Sequence, residues 1–362
     1  MSDRYAIDYS SRVLLLRQTL RKKRLDGLLV TDINNVRYLT GFSGTSGFAL
    51  ITGKEAFFVT DFRYREQATE EAKGWNIVIE KGKRTRTIRD LSKKSRVSRL
   101  GFESSVSYAF HERLSRTGPG LHVAEGLVEK LRKRKDQSEI NSIREAVRRA
   151  EAAFLDVRPY IRCGTRELTV ALRLEERLKK RGCRRVPFDV IVASGPNSVM
   201  PHARPTERKL IKGDLLVIDW GGEADGYFSD MTRTLLMKGG PRFGRKKEIY
   251  RTVLDANRKA ISSICPGLES RKIDAAARST IQKAGCGEFF GHGTGHGVGL
   301  QVHESPRITW SVSEIIMENM VFTVEPGIYI PGLGGVRIED MVVVGKNKAR
   351  TLTSLPKELE IL

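Results

Sequence analysis

From Gly291 the chain reads Gly-His-Gly-Thr-Gly-His-Gly-Val-Gly-Leu and then closes on His303-Glu304. Three of the six histidines of this 362-residue sequence, His292, His296 and His303, fall in that stretch. Imidazoles are metal ligands, and glycine at nearly every second position lets backbone approach a bound substrate closely. The same half of the chain carries two spaced acid pairs, Asp219 with Asp230 and Glu325 with Glu339.

Each acid pair straddles turn chemistry. Leu215-Leu216-Val217-Ile218 runs into Asp219, the segment from Gly221 to Gly226 reads as a turn, and Tyr227 to Leu236 reads as a returning strand. An antiparallel hairpin folded near Ala224 and Asp225 sets Asp219 opposite Asp230, with Cβ atoms about 5 Å apart. Val321 to Val324 leads into Glu325, the glycines around Gly332 break the chain, and Val336-Arg337-Ile338 leads into Glu339. Folding about Gly332 sets the two glutamates opposite each other. Carboxylates packed this closely in a sheet repel unless cations lie between them.

Four carboxylates and one imidazole form the ligand set of two bridged divalent cations about 3.5–4 Å apart, which activate a water and polarise a carbonyl. Oxygen-rich ligation with a single nitrogen suits Mn²⁺, Co²⁺ or Fe²⁺ at least as well as Zn²⁺, and Mn²⁺ is the ion expected.

The segments Phe188 to Gly195, Pro201-His202-Ala203-Arg204-Pro205-Thr206, Ile218 to Gly221, Ser229 to Thr234, the histidine-rich run, Thr323 to Tyr329 and Gly335 to Asp340 occur in this order. On these motifs the chain resembles the creatinase/aminopeptidase P/prolidase group of "pita-bread" metallopeptidases, over nearly its whole length. The resemblance implies that Asp219, Asp230, His296, Glu325 and Glu339 bind the dinuclear metal; spacing to His303 in such enzymes selects His296 over His292. It gives His202, His292 and His303 the task of orienting substrate and stabilising charge on the scissile amide. Tyr329 and Arg337 match supporting positions, with Arg337 steadying a ligand carboxylate, and Thr232 is placed to support the hairpin.

The expected chemistry is attack by a metal-bridging hydroxide, with Glu325 moving the proton to the leaving nitrogen and His303 assisting the oxyanion. A free substrate amine read at the metal or a carboxylate makes the enzyme an exopeptidase. The resemblance implies cleavage before proline, as an Xaa-Pro aminopeptidase or Xaa-Pro dipeptidase acting on proline-containing peptides, with Phe188, Val298 and Tyr329 as candidate walls. Arg307, pairing with the free carboxylate of a dipeptide, would tilt the reading toward prolidase.

The elements that must position these residues divide into an α/β (α+β) arrangement. Residues 1–132 are expected as a creatinase-like α/β domain, with a helix from Ser10 to Lys23, a strand at Gly27 to Thr31, a hairpin over Gly47 to Thr52 and Ala56 to Thr60, and a loop from Asn34 to Phe42. Residues 133–362 are expected as the pita-bread catalytic domain, with curved antiparallel sheet and flanking helices. Asp136 with Glu139 forms a capping box, Thr165 is a candidate cap for a helix running toward Gly182, and Lys246 to Ile261 gives a third helix.

Composition sets outer bounds. The opening Met1-Ser2-Asp3-Arg4-Tyr5 lacks the layout of a secretory signal, no run of eighteen apolar residues occurs, and Cys163, Cys183, Cys265 and Cys286 show no paired spacing. A cytoplasmic protein with reduced thiols, and by the resemblance a homodimer, is expected. The net charge of +21 is spread in basic clusters without interleaved aromatics, so nucleic acid is not the expected partner. The alternatives are a metal-free basic binding module, a methionine aminopeptidase and a creatinase-like C–N hydrolase; the five acid and histidine ligands weigh against the first and last.

Overall fold

The computed structural model describes residues 8–116 and 118–362; the opening residues 1–5 considered above lie outside them. Contacts divide the chain into two compact units, Met1–Arg132 and Lys133–Leu362.

In the first unit, helix α1 (Tyr9–Lys22) starts at Asp8, whose carboxylate accepts from the amides of Ser10 and Ser11. Strand β1 (Gly27–Val30) follows, fully buried. The segment expected as a loop is helix α2 (Ile33–Thr40), a correction with a local cause: Asp32 caps the amides of Asn34 and Asn35, and Gly41 ends the helix in the left-handed region at φ 80°. The unit continues through β2 (Phe48–Thr52), β3 (Ala56–Thr60), α3 (Arg65–Glu71), β4 (Asn76–Ile79), α4 (Arg84–Lys94), β5 (Arg99–Phe102), α5 (Tyr108–Ser115), β6 (Gly120–Val123) and α6 (Leu127–Arg132). Its sheet has the order β4-β3-β2-β1-β5-β6, with β1 antiparallel to β2 and parallel to β5. Leu29, Phe48, Leu50, Phe57, Ile88 and Leu100 form its core, each contributing about 1.5–3 kcal/mol by leaving water.

The second unit opens with α7 (Gln137–Val157), begun by the Asp136/Glu139 capping box that the sequence predicts. Helix α8 (Glu167–Lys180) is not capped by Thr165, whose hydroxyl donates to the Tyr160 carbonyl instead; Arg166 occupies the cap position. Then come β7 (Ile191–Ser194), β8 (Leu215–Trp220), β9 (Glu223–Ala224), β10 (Tyr227–Phe228) and β11 (Met231–Leu236). Two helices follow, α9 (Phe243–Ser263) and α10 (Ser270–Lys283), the latter not anticipated. The chain ends with β12 (Gly295–Gly297), β13 (Glu304–Ile308), β14 (Val321–Val324), β15 (Gly327–Ile330), β16 (Gly334–Arg337), β17 (Asp340–Val344), β18 (Ala349–Thr351) and β19 (Glu360–Ile361).

These strands form two main sheets, β19-β11-β8-β7 and β13-β12-β14-β17-β18, with β15 and β16 as a separate hairpin. Pairing is antiparallel except where β19 runs parallel to β11. Helices α7 and α8 serve the first sheet: Trp220 of β8 stacks on Phe154 at 4.7 Å and donates its indole N–H to the Ala150 carbonyl. Helices α9 and α10 supply Ile249, Val253, Ile273 and Ile281 to a core shared with Phe322, Val324 and Val342. A β-bridge between Thr232 and Glu339 joins the two acid-bearing segments.

Candidate functional site

The aspartate hairpin turns at Asp225-Gly226, whose φ angles of 50° and 80° are both in the left-handed region, as a type I′ turn demands. Tyr227 therefore pairs with Ala224, and Asp219 with Thr232. The expectation that Asp219 faces Asp230 is corrected: placing the turn one residue later moves the opposite position by two. Asp219 and Asp230 are diagonal neighbours, and the face they share is unchanged.

The glutamates meet as the sequence predicts. Ile330 pairs with Gly334 across Gly332, Gly327 with Arg337, and Val324 with Asp340, a single register that sets Glu325 opposite Glu339. The ladder is interrupted at these two residues. The Glu325 amide donates to the Thr294 carbonyl and the Glu339 amide to the Thr232 carbonyl, so both residues are fixed to neighbouring segments and not to each other.

His296 sits in β12 between two glycines that no other residue could replace. A Cβ at Gly295 would lie 2.0 Å from the Thr323 carbonyl oxygen, and one at Gly297 would lie 2.2 Å from that of Ser305. The ring Nδ1 is 3.1 Å from the Gly297 carbonyl oxygen, which can only accept, so Nδ1 carries the proton and Nε2 presents a lone pair. Burial lowers its pKa to about 3. That lone pair faces Asp230 Oδ2 at 3.5 Å and Glu325 Oε1 at 3.4 Å.

An imidazole lone pair among carboxylate oxygens has nothing to donate, so the arrangement needs either a cation or a carboxyl proton between them. Asp219 Oδ1 makes the same point: it is buried and no described donor reaches it. Donor atoms of Asp219, Asp230 and Glu339 lie within 4.8 Å of one another, as do those of His296, Glu325 and Glu339. Two overlapping clusters that share Glu339 fit a pair of divalent cations. A third overlapping group is Asp230, His296 and His303, which brings His303 nearer the cluster than a purely substrate-orienting role requires.

Protonation states follow the crowding. Burial, then the charges of Glu339, Asp219 and Glu325, push Asp230 well above the usual carboxylate range, and burial followed by Glu325 does the same to Glu339. Burial raises Asp219 and brings Glu325 to about 7.

Arg337 organises the Asp219 side of the cluster. Its guanidinium donates to Asp219 Oδ2 at 2.6 Å, Thr232 Oγ1 at 3.1 Å, Tyr329 Oη at 3.1 Å and the Pro201 carbonyl at 3.0 Å. Thr232 Oγ1 in turn donates to Glu339 Oε2 at 2.7 Å. His292 Nδ1 lies 2.8 Å from the Gly293 carbonyl, so it is the protonated nitrogen, and Nε2 accepts from Tyr329 Oη at 3.0 Å. Burial lowers His292 to about 4, which keeps this ring neutral.

A cavity of about 500 Å³ opens onto the cluster. Asp219, Asp230, His296, Glu325, Glu339, His202, His292, His303, Arg307, Arg337 and Phe188 all line it. Arg307 is the cross-strand partner of His296. Thr232 and Tyr329 stand behind the lining. Val298, expected as a wall, is fully buried in the core, a correction.

The sequence reading missed several contributors. Arg204, Asp189 and Thr309 also line the cavity. On α10, Asp274 binds Arg278 through both oxygens and accepts from Thr294 Oγ1, while Arg278 donates to the carbonyls of Phe290 and His292. An Asp and an Arg one helical turn apart are legible once the helix is.

The chain belongs to metallopeptidase family M24, whose profile matches residues 141–346. Ahead of that region, residues 12–134 match the creatinase/prolidase N-terminal domain. The uncharacterized peptidase YqhT of Bacillus subtilis is 42% identical over 96% of this chain and 99% of its own. The Xaa-Pro dipeptidase of Pyrococcus horikoshii is 37% identical over 97% of this chain and 99% of its own. A solved structure of the Xaa-Pro dipeptidase from Bacillus anthracis superposes with a TM-score of 0.95 at 40% identity, covering 98% of this chain and 100% of that one. Among the described residues no helix is long and apolar enough to cross a membrane.

Proposed function

We propose that the protein is a dinuclear-metal exopeptidase that hydrolyses the bond between an N-terminal residue and a following proline. The observation that carries this reading is the His296 Nε2 lone pair facing Asp230 and Glu325 at 3.5 and 3.4 Å. Asp219, Asp230 and Glu339 would hold one cation and His296, Glu325 and Glu339 the other, with Mn²⁺ preferred for so oxygen-rich a set. Such a pair of cations, when bound, makes a water acidic enough to deprotonate near neutral pH and polarises the scissile carbonyl.

The side chains supply the rest. Glu325 accepts the water's proton and delivers it to the leaving nitrogen. His303 and His202, both lining the cavity, offer N–H groups to the oxygen that gains charge. Arg337 keeps Asp219 oriented through Oδ2 and leaves Oδ1 for the cation. The proline nitrogen of the substrate has no N–H, so a wall without acceptors suits it. Phe188, Val190, Pro201, Ala203 and Pro205 provide apolar lining.

The dipeptidase branch is supported by Arg307, which lines the cavity opposite His296 and can pair with a free carboxylate. The name Xaa-Pro dipeptidase carried by the P. horikoshii and B. anthracis proteins agrees with it. The test is cleavage of Ala-Pro and Ala-Pro-Ala by chelator-stripped protein with and without added Mn²⁺, read by mass spectrometry. Metal-dependent release of alanine, faster from Ala-Pro, is expected. Faster release from Ala-Pro-Ala would make the enzyme an aminopeptidase, and no cleavage of either peptide with Mn²⁺, Co²⁺, Fe²⁺ or Zn²⁺ would overturn the reading.

A further inference from the structure

The wall of the cavity that carries His202 belongs to a loop between β7 and β8. The His202 ring makes no hydrogen bond of its own to any described residue, so its position is set by the backbone that carries it. On the inner side that backbone is fixed one residue earlier, where the Pro201 carbonyl accepts from Arg337 at 3.0 Å. Ser198 fixes it further back: its Oγ accepts from the Gly335 amide at 2.8 Å and donates to the Gly195 carbonyl at 2.6 Å.

The outer side centres on Glu167, in the first turn of α8 and fully buried, with Arg208 adding a bond from Nη1 to the Ser194 hydroxyl at 2.5 Å. Glu167 Oε1 accepts from the Ser194 amide at 2.7 Å and the Ser194 hydroxyl at 2.6 Å. Its Oε2 accepts from the Thr206 amide at 3.0 Å and the Thr206 hydroxyl at 2.6 Å. The Asn197 side-chain amide donates to both oxygens, at 3.2 and 3.0 Å. The helix backbone adds Leu168 N–H to the Thr206 carbonyl and Glu167 N–H to the Arg208 carbonyl. Residues at both ends of the loop thus converge on one carboxylate, and the span from His202 to Pro205 is held between Arg337 and this clasp.

We propose that Glu167 is a positioning residue for His202, a buried clasp that closes the 194–206 loop and so sets where the His202 ring stands over the metal-ligating cluster. This rests on the reading of His202 as a substrate-facing group. A glutamine keeps the acceptor for one end of the loop and turns an NH₂ toward the donors of the other. Glu167→Gln therefore releases one end of the clasp without emptying the space.

The test combines kinetics with backbone exchange. Ala-Pro hydrolysis is compared in wild type, Glu167→Gln, His202→Ala and the double variant at equal metal content. Amide hydrogen exchange is followed over residues 194–206. Displacing a positioned group by about 1 Å costs on the order of 100-fold in rate, so Glu167→Gln is expected to lower kcat roughly 10- to 100-fold with KM nearly unchanged. In the His202→Ala background the same substitution is expected to cost less than about threefold, since coupled residues are not additive. The 194–206 amides should exchange at least about tenfold faster while those of β11 do not change. Full multiplicative losses in the double variant, or unchanged exchange in the loop, would overturn the proposal, because a merely structural role predicts the first and an idle carboxylate the second. If Glu167→Gln does not fold, Thr206→Val removes one donor to the carboxylate, along with the acceptor that hydroxyl offers Asn197 and the Arg208 amide, and is judged by the same two readouts. A wild type inactive on Ala-Pro would count against the proposed reaction alone, and the exchange result would still decide the clasp.

Discussion

Arg337 grips one oxygen of Asp219 and leaves the other bare: Nη2 lies 2.6 Å from Oδ2, while Oδ1 is buried with no described donor. The same guanidinium reaches Thr232, Tyr329 and Pro201, so the carboxylate, the Glu339 support, the His292 ring and the His202 loop are tied to one cation. Replacing it with methionine leaves Asp219 uncompensated. Partners of ligand carboxylates are worth about 10–100-fold in metal affinity. Arg337→Met should weaken Mn²⁺ by that factor in a competition titration, and Thr232→Val, which spares the Arg337–Asp219 pair, should weaken it less.

Metal removal should expose an unusual pH dependence. Asp219, Asp230, Glu325 and Glu339 all have raised pKa values when folded, Glu325 about 7, so the folded apo protein holds protons that the unfolded chain releases. Their destabilising effect is complete above the folded values and shrinks as pH falls through them. His292 and His296 act oppositely: with folded values of about 4 and 3, they cost stability as pH falls below the unfolded value of about 6.5. Between about pH 4.5 and 6.5 the two histidines offset only part of the four carboxylates, so the melting temperature of chelated protein should fall as pH rises and fall most steeply just above pH 6.5, with Mn²⁺ flattening the alkaline limb by replacing the protons. A melting temperature that rises steadily from pH 6.5 to 8.5 without metal would contradict the carboxylate crowding.

His303 separates two roles. Acting on the substrate, it should cost roughly 100-fold or more in kcat when replaced by alanine, in the range of a lost acid–base or charge-stabilising group, with both cations retained. Its place beside Asp230 and His296 makes metal analysis of His303→Ala necessary. Loss of a cation in that variant would make it a ligand.

Arg307 should determine the length of peptide accepted. A hydrogen bond to a charged partner is worth about 1.5–3 kcal/mol, so Arg307→Leu should lose about 10- to 100-fold in kcat/KM on Ala-Pro. Ala-Pro-Ala, whose carboxylate lies elsewhere, should change little. Equal losses on both peptides would remove Arg307 from carboxylate recognition.

How much of this was legible depends on whether the signal is local. The glutamate register could be read because Gly332 centres a symmetric pair of runs, and the capping box at Asp136 because both members lie within one turn of α7. The aspartate hairpin was read with the wrong opposition because Asp225-Gly226, a strong type I′ signal, was centred one residue early. Helix α2 was hidden by Asn34-Asn35, poor helix formers that Asp32 and Gly41 compensate from outside. The α10 helix was not read at all, and with it the hold of Asp274 and Arg278 on the histidine-rich loop. Contacts such as Thr232 to Glu339, or Glu167 to Thr206, join residues with no shared periodicity, and only folding reveals them. Val298 lies in the core and not in the wall, and apolar residues beside a site look alike in sequence whether they face the cavity or the core.

The central claim is that five side chains hold two cations, and calorimetric titration of Mn²⁺ into chelator-stripped protein tests it directly, alongside Asp230→Asn. Two equivalents bound by wild type, with proton release, and at least one equivalent lost in Asp230→Asn together with all turnover, is the result expected. A single equivalent, none, or an Asp230→Asn protein that binds and turns over like wild type would contradict it.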